Sequence, residues 1–315
     1  MRPQSKKRYE RLSPQDASFL AFEKPDLHMH IGLVAFFEAG SFRLDSGAID
    51  LAKLRRHIAS RLAALPRCRQ KLAYIPFARQ PVWVDDASFR IEDHVREVTL
   101  AEPGGDGELA RLAGELFSVQ LDRAKPLWEI WLVQGYARRG EFALVCKVHH
   151  AMIDGIAAID FMGALLTPAP TGAIVDAPPP LTRAAPHPAR LLIDEAARWA
   201  AASVGLALAV RRFATKAATR AAFRERAGAL IVLIARGIHG TSPSPLRVRA
   251  SARRWYAWMA TDGADERAVR SRLGGSRDDV TVATAAGAAR AFMLRHGAAP
   301  RRLRVRAMAP MSRRA

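Results

Sequence analysis

Val148-His149-His150-Ala151-Met152-Ile153-Asp154-Gly155 follows directly on the apolar run Phe142-Ala143-Leu144-Val145-Cys146-Lys147-Val148 and reads HHxxxDG. The run predicts a buried strand, because it is short and rich in apolar and β-branched side chains. Its partner is Trp128-Glu129-Ile130-Trp131-Leu132-Val133, which pairs with it across a turn at Arg138-Arg139-Gly140. Side chains alternate along a strand, so His149 and His150 are expected on opposite faces. Only one of them can then face a given reacting group.

Three chemistries compete for this segment. A metal site would draw on His149, His150 and Asp154, but adjacent strand residues diverge and no i, i+4 histidine pair stands on a helix as a zinc site of the H-E-x-x-H kind requires. A Cys146 nucleophile activated by His150 fails on distance, since four strand residues separate the two by about 13 Å. The third reading is a lone general base, His150, with Asp154 turning back beneath it and Gly155 permitting close backbone approach. Its structural counterpart is a pair of core histidines at a strand end.

Further stretches group around this one. Leu12-Ser13-Pro14-Gln15-Asp16-Ala17-Ser18-Phe19-Leu20 is followed by Met29-His30-Ile31-Gly32, and Pro126-Leu127-Trp128-Glu129 precedes the hairpin. Beyond the histidines come Leu273-Gly274-Gly275-Ser276-Arg277-Asp278-Asp279-Val280 and Leu303-Arg304-Val305-Arg306-Ala307-Met308-Ala309-Pro310-Met311-Ser312. In these motifs, PLW and HHxxxDG above all, the chain resembles from end to end the bacterial wax ester synthase/diacylglycerol acyltransferase family. It departs from the family's Asn-Asp pair, whose Asn is Asp278 here. Members of that family also continue past the point corresponding to Ala315.

Each motif has a local reading as well. Ser13-Pro14 with Asp16 fits a helix N-cap, first-turn proline and capping-box acid. Leu127 and Trp128 fit core packing as well as contact with an acyl chain or acyl-CoA. Asp278 and Asp279 precede a helical run from Val280 to Arg295 closed by Gly297, where acidic side chains complement the helix dipole. A helix cap is the expectation for Asp278. For Asp279, cap and substrate site are both open.

Half of the 315 residues are apolar, enough for two cores. The boundaries expected are 1–176 for a lobe carrying HHxxxDG, 177–245 for a proline-rich connector and basic helical linker, and 246–315 for part of a second lobe. Cys68 and Cys146 are the only cysteines, and Met1 to Glu10 is basic without an apolar core. Free thiols and a reducing, cytoplasmic setting are therefore expected.

The net charge of +19 is unevenly distributed. Residues 1–180 hold 23 basic and 22 acidic side chains, whereas residues 181–315 hold 26 and 8. Past Pro178-Pro179-Pro180 the chain reads as helical from about Leu191 to Arg236, with apolar blocks Trp199 to Val210 and Ala227 to Ala235 among arginines. Neither block reaches the roughly twenty residues of a membrane span. Arginines beside short apolar helical stretches suit a helix lying on an anionic membrane or lipid-droplet surface, the alternative being a linker helix packed between lobes. Nucleic acid is not expected, because the basic residues are not interleaved with aromatics or set in a groove-reading motif. Nor does a P-loop or GxGxxG follow a strand.

The resemblance implies an α/β, two-lobed CoA-dependent acyltransferase fold like that of chloramphenicol acetyltransferase, with HHxxxDG at a central channel and the second lobe incomplete. It implies O-acyl transfer from acyl-CoA to diacylglycerol or a long-chain alcohol, with no cofactor and no metal. His150 would be the base, with His149, Asp154 and Gly155 around it, and Pro126, Leu127, Trp128 and Asp279 at the substrate. Asp154 would hold the loop through an arginine. Two other functions are carried forward: a catalytically inactive, shortened chain that binds a lipid surface, and an HHxxxDG transferase using another donor such as a carrier-protein thioester.

Overall fold

The computed structural model describes residues 9–62, 65–137, 140–152, 163, 183–215, 223–224, 227–228, 245–246, 251–303 and 305. The chain divides into two units, Met1–Asp194 with Ala250–Ala257, and Glu195–Arg249 with Trp258–Ala315. The first division thus falls inside a helix, downstream of the proline-rich stretch at which the sequence sets the connector.

The first unit is built on a four-stranded sheet ordered β2-β7-β6-β5: β2 (His30–Glu38), β7 (Glu141–His149), β6 (Trp128–Gln134) and β5 (Val95–Thr99). The expected hairpin is present, with β6 antiparallel to β7 and Trp128 opposite Val148. Among the described strands only β5 and β6 run parallel. A smaller sheet, ordered β1-β4-β3, joins β1 (Glu10–Arg11), β4 (Pro81–Asp85) and β3 (Gln70–Tyr74).

The even-numbered residues of β7, Phe142, Leu144, Cys146 and Val148, enter the main core with Trp128, Ile130 and Leu132 of β6. That face is covered by α2 (Leu51–Leu62), whose Leu54, Ile58 and Leu62 recur every four residues and so form one buried stripe. Helix α1 (Pro14–Phe22) adds Leu20 and the partly buried Phe19. Its start is the cap read from sequence, as Ser13 Oγ accepts the Asp16 N–H at 3.1 Å. The odd-numbered face, carrying Lys147 and His149, meets the C-terminal end of α3 (Asp106–Phe117). There Lys147 Nζ donates to the Leu116 and Val119 carbonyls at 3.0 and 2.9 Å, placing a cation where the helix dipole favours one.

Gly32 of β2 allows this layer to close. A Cβ there would fall 2.4 Å from Phe117 Cε1, so the ring of Phe117 lies directly on the strand backbone.

The described part of the second unit is helical. Helix α4 (Pro188–Thr215) crosses from the first unit into the second and contains the apolar block Trp199 to Val210. Helices α5 (Gly263–Leu273) and α6 (Arg277–Arg295) follow, the latter covering the expected run Val280 to Arg295. Most of the strand expected at 303–312 lies outside the described residues.

Candidate active site

His149 ends β7 and lies opposite His30 at the start of β2. Two neighbouring motifs hold the histidine pair by its backbone. The His149 N–H donates to the Leu127 carbonyl at 3.0 Å, and the His150 N–H donates to the Met29 carbonyl at 2.8 Å. The chain then turns at once, with the Met152 N–H on the His149 carbonyl at 2.9 Å. PLW and Met-His-Ile-Gly thus anchor the two histidines through their backbone carbonyls.

The two side chains occupy different environments, as alternation requires. His149 is 1% exposed. Its Nδ1 accepts the Ala151 N–H at 2.9 Å, so the ring proton is assigned to Nε2, which lies 3.4 Å from Glu23 Oε2. This is ion-pair proximity without hydrogen-bond alignment. His150 is half-buried, on the side of the main core, with its ring stacked on Phe19 at 4.8 Å between centroids and 18° between planes. Among the described residues neither ring nitrogen of His150 has a hydrogen-bond partner.

Glu23 organises the His149 side. It is the C-cap residue of α1, with its N–H on the Phe19 carbonyl, and its side chain is 3% exposed. Oε2 receives Arg123 Nε and Nη2 at 3.1 and 2.7 Å, while Oε1 lies 3.4 Å from His30 Nε2. Burial alone raises the Glu23 pKa, but contacts with His149, His30 and Arg123 outweigh it and hold the carboxyl well below the usual range. His30 is pushed down, chiefly by burial. The Leu121 N–H approaches its Nε2 at 3.4 Å, and its Nδ1 is buried without a partner among the described residues. Sequence reading missed Glu23 and Arg123, and quoted His30 only for resemblance. A histidine just ahead of an apolar run was the available signal.

Chemically, the two histidines are not equivalent. The only lone pair His149 could offer is taken by the Ala151 N–H, and its other nitrogen faces a carboxylate. The His150 nitrogens have no partner among the described residues, and its pKa is lowered by burial and then by the neighbouring His149, so the neutral imidazole is the resting form near neutral pH. Cys146 is the opposite case, a thiol pushed up to about 12 by complete burial and unsuited to attack. Cys68, also buried, is pushed up to about 12 for the same reason, and both thiols are free as expected.

Asp154 and Gly155 lie outside the described residues. Pro126 is buried, and Leu127 and Trp128 are 0% exposed. The Trp128 indole donates to the Cys68 carbonyl at 2.8 Å and stacks on His94 at 4.7 Å, so among the described residues these side chains pack into the core. Asp279 caps α6, its Oδ2 accepting the Ser276 N–H at 2.7 Å while Ser276 Oγ accepts the Asp279 N–H at 3.2 Å. Among the described residues no group of His, Cys, Asp or Glu side chains is set to hold a metal ion.

Comparison with known proteins relates the chain to one family by sequence. Residues 12–281 fit the wax ester synthase/diacylglycerol acyltransferase catalytic domain. A Mycobacterium tuberculosis protein named as a diacylglycerol O-acyltransferase is 33% identical over 300 residues, which is 92% of this chain and 56% of that protein. The chain therefore spans a little over half the length of this relative. A probable diacylglycerol O-acyltransferase of the same organism is 32% identical over 267 residues, 83% of this chain and 96% of that protein. The fold is that of the wax ester synthase/diacylglycerol acyltransferase from Marinobacter aquaeolei, with a TM-score of 0.61 at 24% identity over 92% of this chain and 62% of that one. The chain belongs to the wax ester synthase/diacylglycerol acyltransferase family.

Proposed function

We propose that this chain transfers a fatty acyl group from acyl-CoA to the hydroxyl of diacylglycerol or of a long-chain alcohol, with His150 as general base. The observation that carries the reading is the inequivalence of the histidines. One has its lone pair engaged and its ring enclosed, and the other is half-buried with no partner on its nitrogens among the described residues. His150 takes the acceptor's proton as its oxygen attacks the thioester carbonyl. Collapse of the tetrahedral adduct releases the CoA thiolate, which takes up that proton, and leaves the ester. A positioned base of this kind contributes about 10²–10⁴ in rate. His149 and Glu23 hold the backbone turn that presents it, and Asp154 with Gly155 is assigned to the same loop.

We place the chain at a lipid surface in the cytoplasm, attached through α4. The support is exposed apolar area flanked by cations: Trp199 and Leu206 are 62% and 66% exposed, with Arg198 at one end and Arg211 and Arg212 at the other. No helix among the described residues is long and apolar enough to cross a membrane. Flotation with phosphatidylglycerol-containing vesicles tests this. Retention of a Trp199→Ala/Leu206→Ser variant at wild-type levels would remove α4 from the role.

The catalytic assignment is tested by release of free CoA from palmitoyl-CoA in the presence of an alcohol acceptor. Wild type and His149→Asn should release it, and His150→Ala should not. Equal loss in both folded variants would mean that the two rings act together rather than as one base and one support.

A further inference from the structure

The base assigned above has no described hydrogen-bond partner to orient it, although an imidazole that accepts a proton at a fixed point needs both its backbone and its ring plane set. The backbone is set by the Met29 carbonyl at 2.8 Å. The ring touches Phe19, near-parallel at 18° and 4.8 Å, which is offset-stacking range. Phe19 is in turn fixed twice over. It packs against the main core, and its carbonyl accepts the Glu23 N–H at 3.1 Å at the end of α1. A capped helix packed on the core thereby presents a flat ring to one face of His150, near-parallel to the imidazole plane.

We infer that Phe19 is the positioning residue for His150, setting the plane in which its basic nitrogen meets the acceptor hydroxyl. The inference rests on the reading of His150 as base, and it assigns a role to α1 that the cap motif at its start does not. Phe19 does not touch the reacting atoms. It acts through the ring it supports. Stacking also shields that ring from water, in keeping with the lowered pKa of His150.

The test uses the whole chain with Phe19→Leu, which keeps apolar volume but removes the flat face, and Phe19→Tyr, which restores it. The first readout is the NMR titration of the His150 ring protons, assigned by their loss in His150→Ala. In wild type they carry the upfield ring-current displacement of a stacked ring and titrate below the ordinary 6.5. In Phe19→Leu the displacement should vanish and the midpoint rise toward 6.5, and Phe19→Tyr should restore both. The second readout is turnover, where Phe19→Leu should lower kcat about tenfold at little change in KM, with the acid limb of its pH profile moved upward. A folded Phe19→Leu with wild-type shifts and midpoint overturns the inference, whatever the turnover. Retained activity in His150→Ala would instead strike the base assignment, leaving the NMR result to judge the stack.

Discussion

His149 and His150 are adjacent in sequence and chemically opposite. On one side of the strand end, His149 sits in a closed polar cluster of Glu23, His30 and Arg123, with its nitrogens engaged or enclosed. On the other, His150 rests on an aromatic ring with its nitrogens free of described partners. The difference follows from strand alternation alone, which puts one residue of any adjacent pair on the α3 side and the other on the side of α1 and α2. In the proposed reading a dipeptide repeat thus divides into a support and a reagent, and the surroundings, not the residue type, decide which is which.

The sharpest way to break that division is to remove each ring. His150→Ala should lower turnover at least about a hundredfold while the unfolding midpoint stays near that of wild type. Cutting the carboxylate from the other side should do the reverse. Glu23→Gln strands Arg123 and the two buried histidines, and should cost about 3 kcal/mol in denaturant unfolding. If Glu23→Gln proved neutral for stability, the closed cluster would not be the structural half of the pair.

Packing gives a smaller effect. Gly32→Ala forces Phe117 off the β2 backbone and should cost about 1–3 kcal/mol, since its Cβ would meet the ring at 2.4 Å.

Acid should act on the His149 side in two stages. His30 has a folded pKa below its ordinary 6.5, so below that pH the unfolded chain binds the proton first and stability falls as pH drops. Glu23 has a folded pKa below its ordinary 4.5, so its contribution is complete above that value and is lost as pH falls further. Unfolding followed from pH 8 to 3 should therefore show a decline that steepens below about 4.5, and Glu23→Gln should flatten the lower stage. A profile unchanged by Glu23→Gln would contradict the assignment. The smallest effect concerns the thiols: with both raised to about 12 by burial, Cys68 and Cys146 should resist iodoacetamide until the chain unfolds.

What the sequence disclosed is what local pattern controls. The apolar run from Phe142 gave the strand, the alternation rule separated the two histidines, and Ser13 with Asp16 marked a helix start that α1 confirms. Glu23 was illegible because it follows a short helix beside Lys24 and Pro25, where an acid reads as a solvated loop charge. Only the pairing of β2 with β7 and the docking of Arg123, a hundred residues away, enclose it. Phe19 stood in the sequence only within the Leu12–Leu20 stretch and not as a neighbour of His150, because stacking depends on a centroid distance between residues far apart in the chain. PLW shows the converse. Its large side chains fitted core packing as well as substrate contact, and Leu127 and Trp128 are wholly buried, the motif meeting His149 through the Leu127 carbonyl. In the first turn of α6, Asp279 was open between cap and site, and the geometry engages it in the capping box with Ser276.

The most direct test of the central claim is ester formation by the purified 315-residue chain from labelled palmitoyl-CoA, offered dioleoylglycerol and hexadecanol separately, beside His150→Ala and His149→Asn. The account predicts labelled ester from at least one acceptor, its loss in His150→Ala and its persistence in His149→Asn. Folded wild-type protein that forms no ester, or a His150→Ala variant that forms as much as wild type, would contradict it.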